Sequence, residues 1–286
     1  MYKLALIVPC FNEEENIERT ANILLEKLYS LQKDNLINKN SFLVFVDDGS
    51  SDKTWEKITH LNTQNPKIRG LSFSKNYGHQ TAIFAGITNF DYDICIMLDA
   101  DLQQDIDKFD YMINKHSEGF DVVCGVRNII KSRSIIKSIS AKIFYSLMKI
   151  LNSNVVPAHN DFRLLSAKVG KELRKFNEKN IYIRGLIPDL GFNQTYFNYK
   201  IKERTKGETK YTYKKLFALA RDGLLSNSEA LLTNLIYLVL FFEILPFPKL
   251  IKRMIRIFVS CVVLEVIKDI YVQSRNRPAY IIKEKI

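Results

Sequence analysis

Five short apolar runs, Leu4–Val8, Phe42–Val46, Ile68–Phe73, Ile94–Leu98 and Asp121–Cys124, alternate along the first half of the chain with segments of helical period. That alternation constrains the fold: near-continuous apolar runs are strands buried on both faces, and the segments between them supply the crossovers that parallel strands need. Ile17, Ala21, Leu24, Leu28 and Leu31 recur at helical spacing behind Glu13-Glu14-Glu15, an acidic stretch suited to a helix N-terminus. Further helices are expected over Thr54–Leu61, Thr81–Asn89 and Asp107–Ser117. The expected class is therefore α/β, a mostly parallel sheet with helices on both faces. A length of 286 residues allows one large or two small domains.

The composition changes from Asn128 to Asn152, where Lys131, Arg133, Lys137, Lys142 and Lys149 are the only charges and Ile136, Ile139, Ile143, Leu147 and Ile150 share one face. A basic amphipathic helix of this kind fits either a membrane surface or ordinary packing with a solvated face. Gly191–Tyr199 alternates like a strand and leads into the basic stretch Lys200–Arg221. Beyond it, Ala230–Phe247 carries Glu243 as its only formal charge, and as a helix it would reach about 27 Å against a bilayer core of about 30 Å. Lys249, Lys252, Arg253 and Arg256 follow at once, and such a cluster prefers the cytoplasmic side. The next apolar run, Ile255–Val263, is too short to return as a full helix. Shallow or re-entrant elements are thus expected here, lying with Ile136–Ile150 on one cytoplasmic leaflet, ahead of a polar tail, Gln273–Ile286. The chain divides on this basis into residues 1–225, an α/β unit, and 226–286, membrane-associated helices and tail.

Lys+Arg 42 against Asp+Glu 31 leaves a net charge of +11, which calls for an anionic partner: nucleic acid, a lipid surface or a phosphorylated substrate. The four cysteines, Cys10, Cys95, Cys124 and Cys261, lie far apart without a CxxC, against a zinc site or a disulfide framework. The first apolar run is too short for a signal peptide and ends in Pro9, so a cytoplasmic start is expected.

In a doubly wound sheet, ligands bind beyond the carboxyl ends of the strands. Those positions are acidic: Pro9-Cys10-Phe11-Asn12-Glu13 after the first run, Asp47-Asp48-Gly49-Ser50 after the second, Asp99-Ala100-Asp101-Leu102-Gln103 after the fourth. Two carboxylates one residue apart can turn toward one hard cation, and Mg²⁺ or Mn²⁺ takes such ligands while keeping positions for substrate phosphates. Taken singly, Asp-Asp-Gly-Ser is a common turn and Asp-x-Asp a weak motif. Their occurrence in order, each at a strand end, points to a metal–diphosphate site. No GxGxxG follows a strand and no GxxxxGK[ST] is present, against dinucleotide dehydrogenases and P-loop enzymes.

Val8-Pro9-Cys10-Phe11-Asn12-Glu13-Glu14, Val46-Asp47-Asp48-Gly49-Ser50, Asn76-Tyr77-Gly78-His79-Gln80, Asp99-Ala100-Asp101-Leu102-Gln103 and Gly125-Val126-Arg127 resemble the successive motifs of family 2 glycosyltransferases. Asn160-Asp161-Phe162-Arg163-Leu164, Arg184-Gly185-Leu186 and Gly207-Glu208-Thr209-Lys210-Tyr211 are similar to the polyprenyl-phosphate branch, bactoprenol glucosyltransferases and dolichol-phosphate mannose synthases. Arg277-Pro278-Ala279-Tyr280-Ile281 resembles the end of the bactoprenol branch. The chain departs from the family pattern in Gln104-Asp105-Ile106, where an acidic or polar residue and a proline pair are usual, and in a shortened C-terminal hairpin.

The resemblance implies a GT-A fold and an inverting transfer from a nucleotide sugar, UDP-glucose by analogy with the bactoprenol branch, to a polyprenyl phosphate. It implies Mg²⁺ or Mn²⁺ held by Asp99 and Asp101 with Gln103 beside them, and a donor pocket lined by Pro9, Asn12, Glu13, Asp47, Asp48, Lys75, Ala100 and Gln103. Arg127, Arg133, Arg163, Arg204 and Lys210 are the expected cations for the acceptor phosphate, and Asp161, a base in relatives with protein or sugar acceptors, here orients Arg163 or the sugar hydroxyls. A lone His79 is expected to pack or cap its loop. The other partners implied are the membrane surface and, as one option, a second copy of the chain. A saccharide acceptor in cell-surface polysaccharide synthesis is the alternative. A nucleotidyltransferase would carry a Gly-rich basic loop after the first strand, which Pro-Cys-Phe-Asn-Glu is not. A nucleic-acid-binding module would interleave its basic residues with exposed aromatics, whereas here they accompany Ile and Leu, so no nucleic acid is expected. A silent membrane scaffold would have no need of the Asp99/Asp101 pair.

Overall fold

In the computed structural model, which describes residues 1–127, 159–176, 178–179, 181–200, 228–275 and 277–286, the apolar runs form the middle of an eight-stranded sheet. Its strands are β1 (Leu4–Cys10), β2 (Phe42–Asp47), β3 (Ile68–Phe73), β4 (Ile94–Met97), β5 (Val122–Arg127), β6 (His159–Ser166), β7 (Gln194–Tyr199) and β8 (Ile282–Lys285). They lie in the order β7-β5-β6-β4-β1-β2-β3-β8. The pairs β1–β2, β1–β4, β2–β3 and β5–β7 are parallel, while β6 runs antiparallel to both β4 and β5, and β8 antiparallel to β3.

Each residue of β1 and β2 is buried because helices cover both faces. On one face Leu4, Leu6, Val8, Leu43 and Phe45 pack against α1 (Ile17–Lys33), α2 (Thr54–Gln64) and α4 (Phe109–Ser117). On the other, Ala5, Ile7, Val44 and Val46 meet α3 (His79–Thr88), α5 (Ala167–Leu173) and α6 (Ile183–Asp189). Gly86 lets α3 settle on the sheet, since a Cβ there would lie 2.4 Å from the Ile7 side chain. Glu13-Glu14-Glu15 does not begin α1. It forms the turn before that helix, and the Glu14 carboxylate instead accepts from the N–H of Lys53, 3.0 Å away, at the start of α2.

Two differences from expectation lie near the C-terminus. The second apolar run is part of one continuous 26-residue helix, α8 (Lys249–Ser274), because Glu265, Lys268 and Asp269 break its hydropathy but not its helical pattern. It pairs with α7 (Ser228–Ile244) through Leu232, Leu235, Val259, Val262 and Val266. No described helix is long and apolar enough to cross a membrane. The polar tail is not a tail: its last residues form β8 on the edge of β3, with Gly70 and Ile286 exchanging both backbone hydrogen bonds. The expected amphipathic helix over Ile136–Ile150 lies outside the described residues.

Candidate active site

The parallel strands β1, β2 and β4 deliver three loops to one end of the sheet. In the loop after β2, both carboxylates are buried and already engaged. Asp47 accepts from Ser50 N–H at 3.1 Å and from the Ser72 hydroxyl at 2.9 Å. Asp48 accepts from the N–H groups of Tyr77, at 2.7 Å, and Gly78, at 2.9 Å, and so pins the loop between β3 and α3. Gly49, at φ +69°, lets that loop approach: a Cβ there would lie 2.3 Å from the Lys75 carbonyl carbon. In the loop after β1, Asn12 sits in the left-handed region at φ 52°. Its amide oxygen accepts from Ser51 N–H at 2.9 Å, and its own N–H donates to the Ser50 hydroxyl at 2.9 Å. The N–H of Glu13 donates to Thr54, 2.9 Å away.

The loop after β4 carries the other acidic pair. Thr20 of α1 donates its hydroxyl to the Ala100 carbonyl at 2.7 Å, tying the loop to the helix layer. Leu102 adopts φ 54°, uncommon for a branched residue, and turns the chain back on itself. The turn brings the buried Gln104, not Gln103, onto Asp99: the Gln104 amide donates to the Asp99 carboxylate and its oxygen accepts from Asp99 N–H at 3.3 Å. Gln103 contributes its backbone N–H to Asp101 at 3.2 Å.

Extending the antiparallel register of β4 and β6 by two residues beyond Met97 and Arg163 places Asp161 opposite Asp99. His79, at the first turn of α3, lies between them, its Nε2 3.5 Å from Asp99 and 3.3 Å from Asp161. Arg184 of α6 forks onto Asp161 with contacts of 2.9 and 2.8 Å, and Gln80 adds a third donor at 3.0 Å. The Asp161 side chain is 5% exposed and that of His79 47% exposed, so the imidazole is the accessible end of the cluster.

The electrostatics follow. Burial raises the Asp161 carboxyl, but the Arg184 guanidinium and the His79 hydrogen bond outweigh it and hold it well below the usual carboxylate range. Loss of hydration pulls the His79 imidazole down, while the hydrogen bond to Asp161 and the charges of Asp99 and Asp161 pull it further up. Asp99 is raised, by burial first and then by Asp161 and Asp101, against the opposing effects of His79 and Gln104. Burial also takes Asp48 to about 6, despite its two backbone donors.

Asp99 and Asp101 fit a divalent cation. Their donor atoms are hard carboxylate oxygens, and the like charge that raises Asp99 is what a cation would relieve. No group of three His, Cys, Asp or Glu side chains suited to a metal occurs among the described residues; Mg²⁺ usually takes one or two carboxylates together with substrate phosphates and water.

The expected acceptor cations fare unevenly. Arg133, Arg204 and Lys210 lie outside the described residues. Arg127 ends β5, partly buried, opposite Tyr199 of β7. Arg163 is fully buried, one pleat below Asp161 and paired in register with Met97 and Cys124, so a phosphate arriving from solvent does not meet it. Arg184, not Arg163, is the arginine that the fold brings to Asp161. Pro9 and Ala100 are buried, and Lys75 is exposed, its ammonium 5.2 Å from the Tyr77 ring centre. Sequence reasoning undervalues His79; its motif is visible, but only the fold, which packs α3 on β1 and β2 with its first turn beside Asp99 and Asp161, shows the two carboxylates it joins.

The chain matches the family described as Glycosyl transferase family 2 over residues 5–174. It is 39% identical to the uncharacterized glycosyltransferase YkoT of Bacillus subtilis (strain 168), covering 84% of this chain and 72% of that one. It is 30% identical to the bactoprenol glucosyl transferase of Shigella phage SfV, covering 99% of each. Among solved structures, the glucosyl-3-phosphoglycerate synthase of Mycobacterium tuberculosis in complex with Mg²⁺ and UDP aligns with a TM-score of 0.53 at 16% identity, covering 79% of each chain, which shows a shared fold.

Proposed function

This chain belongs to glycosyl transferase family 2, a transferase, and on that premise we propose that it moves a hexose, glucose from UDP-glucose, with inversion onto a polyprenyl phosphate at the cytoplasmic face of a membrane. The observation that carries the reading is the meeting of Asp99, His79, Asp161 and Arg184 beside a donor loop fixed by Asp48. The near full-length similarity to a bactoprenol glucosyl transferase supports the choice of acceptor.

Asp99 and Asp101 would hold Mg²⁺ or Mn²⁺, which when bound supplies Lewis-acid stabilisation of the departing nucleotide diphosphate. Asp48 and Asn12 shape the nucleoside end of the pocket, and Lys75 adds positive charge at its rim. A phosphate monoester, with a second pKa of about 6, is already largely dianionic at neutral pH, so the acceptor needs positioning more than deprotonation. Asp161, held ionised by Arg184, suits that: it orients Arg184 and His79 toward the place where two anions meet, and is a poor base. Incubating the full chain with a panel of radiolabelled nucleotide sugars and polyprenyl phosphate, then extracting lipid, tests the reading. Label carried into the lipid phase from UDP-glucose is the expected result; label only in a water-soluble saccharide would overturn it.

Asp48 gives a pH prediction. Its carboxyl titrates at about 6, and only the ionised form offers full acceptor capacity to nucleoside N–H and O–H groups. Nucleotide affinity is expected to weaken as pH falls from 7 to 5, with the change centred near 6, and Asp48→Asn should remove that step. Calorimetric titration of UDP-glucose, whose esterified diphosphate, unlike the terminal phosphate of UDP, has no group titrating in this range, checks it.

The membrane part of the reading rests on α7 and α8. Ile236, Tyr237, Phe241, Met254, Ile257 and Phe258 are all more than half exposed, beside the exposed bases Lys249 and Arg253. A helical pair too short or too charged to span, apolar outward and basic at one end, suits the plane of an anionic leaflet. Lys249→Gln with Arg253→Gln is expected to weaken binding to anionic vesicles roughly 30-fold, at about 1 kcal/mol per charge, and to leave binding to neutral vesicles unchanged. Equal binding of the double variant to anionic vesicles in a flotation assay would contradict it.

A further inference from the structure

The strand that closes the sheet is also wired into the donor pocket. Beyond α8 the chain returns to the edge of β3, where the Ser74 N–H donates to the Ile281 carbonyl at 3.1 Å and Trp55 donates its ring N–H to Glu284 at 2.9 Å. The Tyr280 ring packs on Phe73, with centroids 5.0 Å apart, and Phe73 meets Tyr77 edge-on at 5.6 Å. The Tyr280 hydroxyl accepts from the Asn89 amide at 2.8 Å, immediately past the end of α3. Tyr77 and Gly78 are the residues Asp48 holds, and His79 opens α3. Tyr280 therefore reaches one unit at two places: through Phe73, the last residue of β3, it backs Tyr77 in the loop on the donor side, and through Asn89 it holds the far end of the helix whose first turn carries His79.

We propose that β8 and Tyr280 belong to the donor site, positioning residues 74–78 and, through α3, His79, so that nucleotide binding and docking of the C-terminal strand stabilise one another. This rests on the nucleotide-sugar reading above. The coupling has a topological consequence: α7 and α8 lie between the rest of the catalytic sheet and β8, so the segment that meets the lipid surface is tethered on both sides to the sheet that binds the donor. A strand whose side chains are exposed and whose attachment is a few backbone hydrogen bonds is the kind of element that frays locally, and a ligand that orders its neighbours shifts that equilibrium. Reciprocity follows from linkage: if strand docking strengthens nucleotide binding, nucleotide must strengthen docking by the same factor.

The test uses the full chain in detergent micelles, with hydrogen exchange followed with and without UDP and Mn²⁺, and with GDP and Mn²⁺ in a parallel arm. The expected result is slowed exchange at 75–78 and also at 281–286. Slowing at 75–78 with none at 281–286 would overturn the proposal and leave the donor reading intact, whereas a chain that binds neither nucleotide overturns both. Steady-state kinetics supply the second measurement. Tyr280→Ala is expected to raise the nucleotide-sugar KM about tenfold, within the usual range of coupling between sites, and to raise it more than the acceptor KM. Tyr280→Phe, which keeps the ring on Phe73, should restore most of the loss. An unchanged donor KM in Tyr280→Ala, or an equal rise in both KM values, would overturn the proposal. If Tyr280→Ala does not fold, the exchange experiment on the unaltered chain decides.

Discussion

Asp101→Asn and Asp99→Asn are each expected to lower turnover about 10²-fold or more, the loss of roughly 3 kcal/mol of transition-state stabilisation, while leaving the fold intact. The two substitutions differ in what they do to the protein at rest. Asp99 is raised by burial and by the charges of Asp161 and Asp101, so its ionised form is held against electrostatic resistance. An amide in its place removes that repulsion and still offers an oxygen to Gln104, which makes Asp99→Asn as thermally stable as the unaltered chain or more so. Asp101, whose carboxylate accepts from the Gln103 N–H, keeps an acceptor as Asn and should melt within a degree or two of the parent. Inactivity with undiminished stability is the signature of a site whose charges are arranged for a ligand and not for the fold. Turnover measured before and after EDTA, with Mn²⁺ returned, and a thermal melt of each variant provide the check. Full activity of either variant, or turnover indifferent to EDTA, would remove the cation from the account.

How much of this was legible in advance depends on what each segment had to do. β1, β2 and β3 were readable because strands covered on both faces become near-continuous apolar runs, and α1 because its buried face repeats at helical spacing. β6 does not read as a strand. It alternates Asp161 and Arg163 with Phe162 and Leu164, and two buried charged residues hide the signal that burial normally leaves. β8 was hidden for the opposite reason: all four of its residues are exposed, as befits a charged sheet edge, and Ile-Lys-Glu-Lys reads as a tail. The acidic loops were legible as chemistry from their place after the strands, but their division of labour was not. That Gln104 and not Gln103 bonds Asp99 depends on the left-handed turn at Leu102, and that Arg184 replaces Arg163 beside Asp161 depends on which pleat of β6 reaches the strand end. Spacing identified the motifs; only packing identified the partners.

Arg184→Ala should be the most destabilising single change in the site. Asp161 is almost fully buried, and Arg184 contributes both arms of the fork that keeps it ionised, with His79 and Gln80 supplying only single contacts. Removing one member of a buried ion pair leaves an uncompensated charge, typically at a cost of about 3–5 kcal/mol. The pH dependence separates this from a simple loss of packing. In the unaltered chain the Asp161 carboxyl sits well below the usual range, so its stabilising contribution is present at all pH values above the unfolded value, about 3.9, and is lost only as pH falls through the still lower folded value. Without Arg184, burial becomes the dominant influence and the folded pKa rises above the unfolded one. Stability is then greatest where the acid is neutral and is lost as pH climbs through the raised value. The difference between variant and parent is therefore expected to be large at pH 8 and smaller at pH 5, as read from urea midpoints at the two pH values. Asp161→Asn combined with Arg184→Met, which removes both charges, should recover much of the loss at pH 8 but not the activity. A deficit in Arg184→Ala that is the same at both pH values would mean that Arg184 acts through packing alone, and that the charge on Asp161 is held by something other than this arginine.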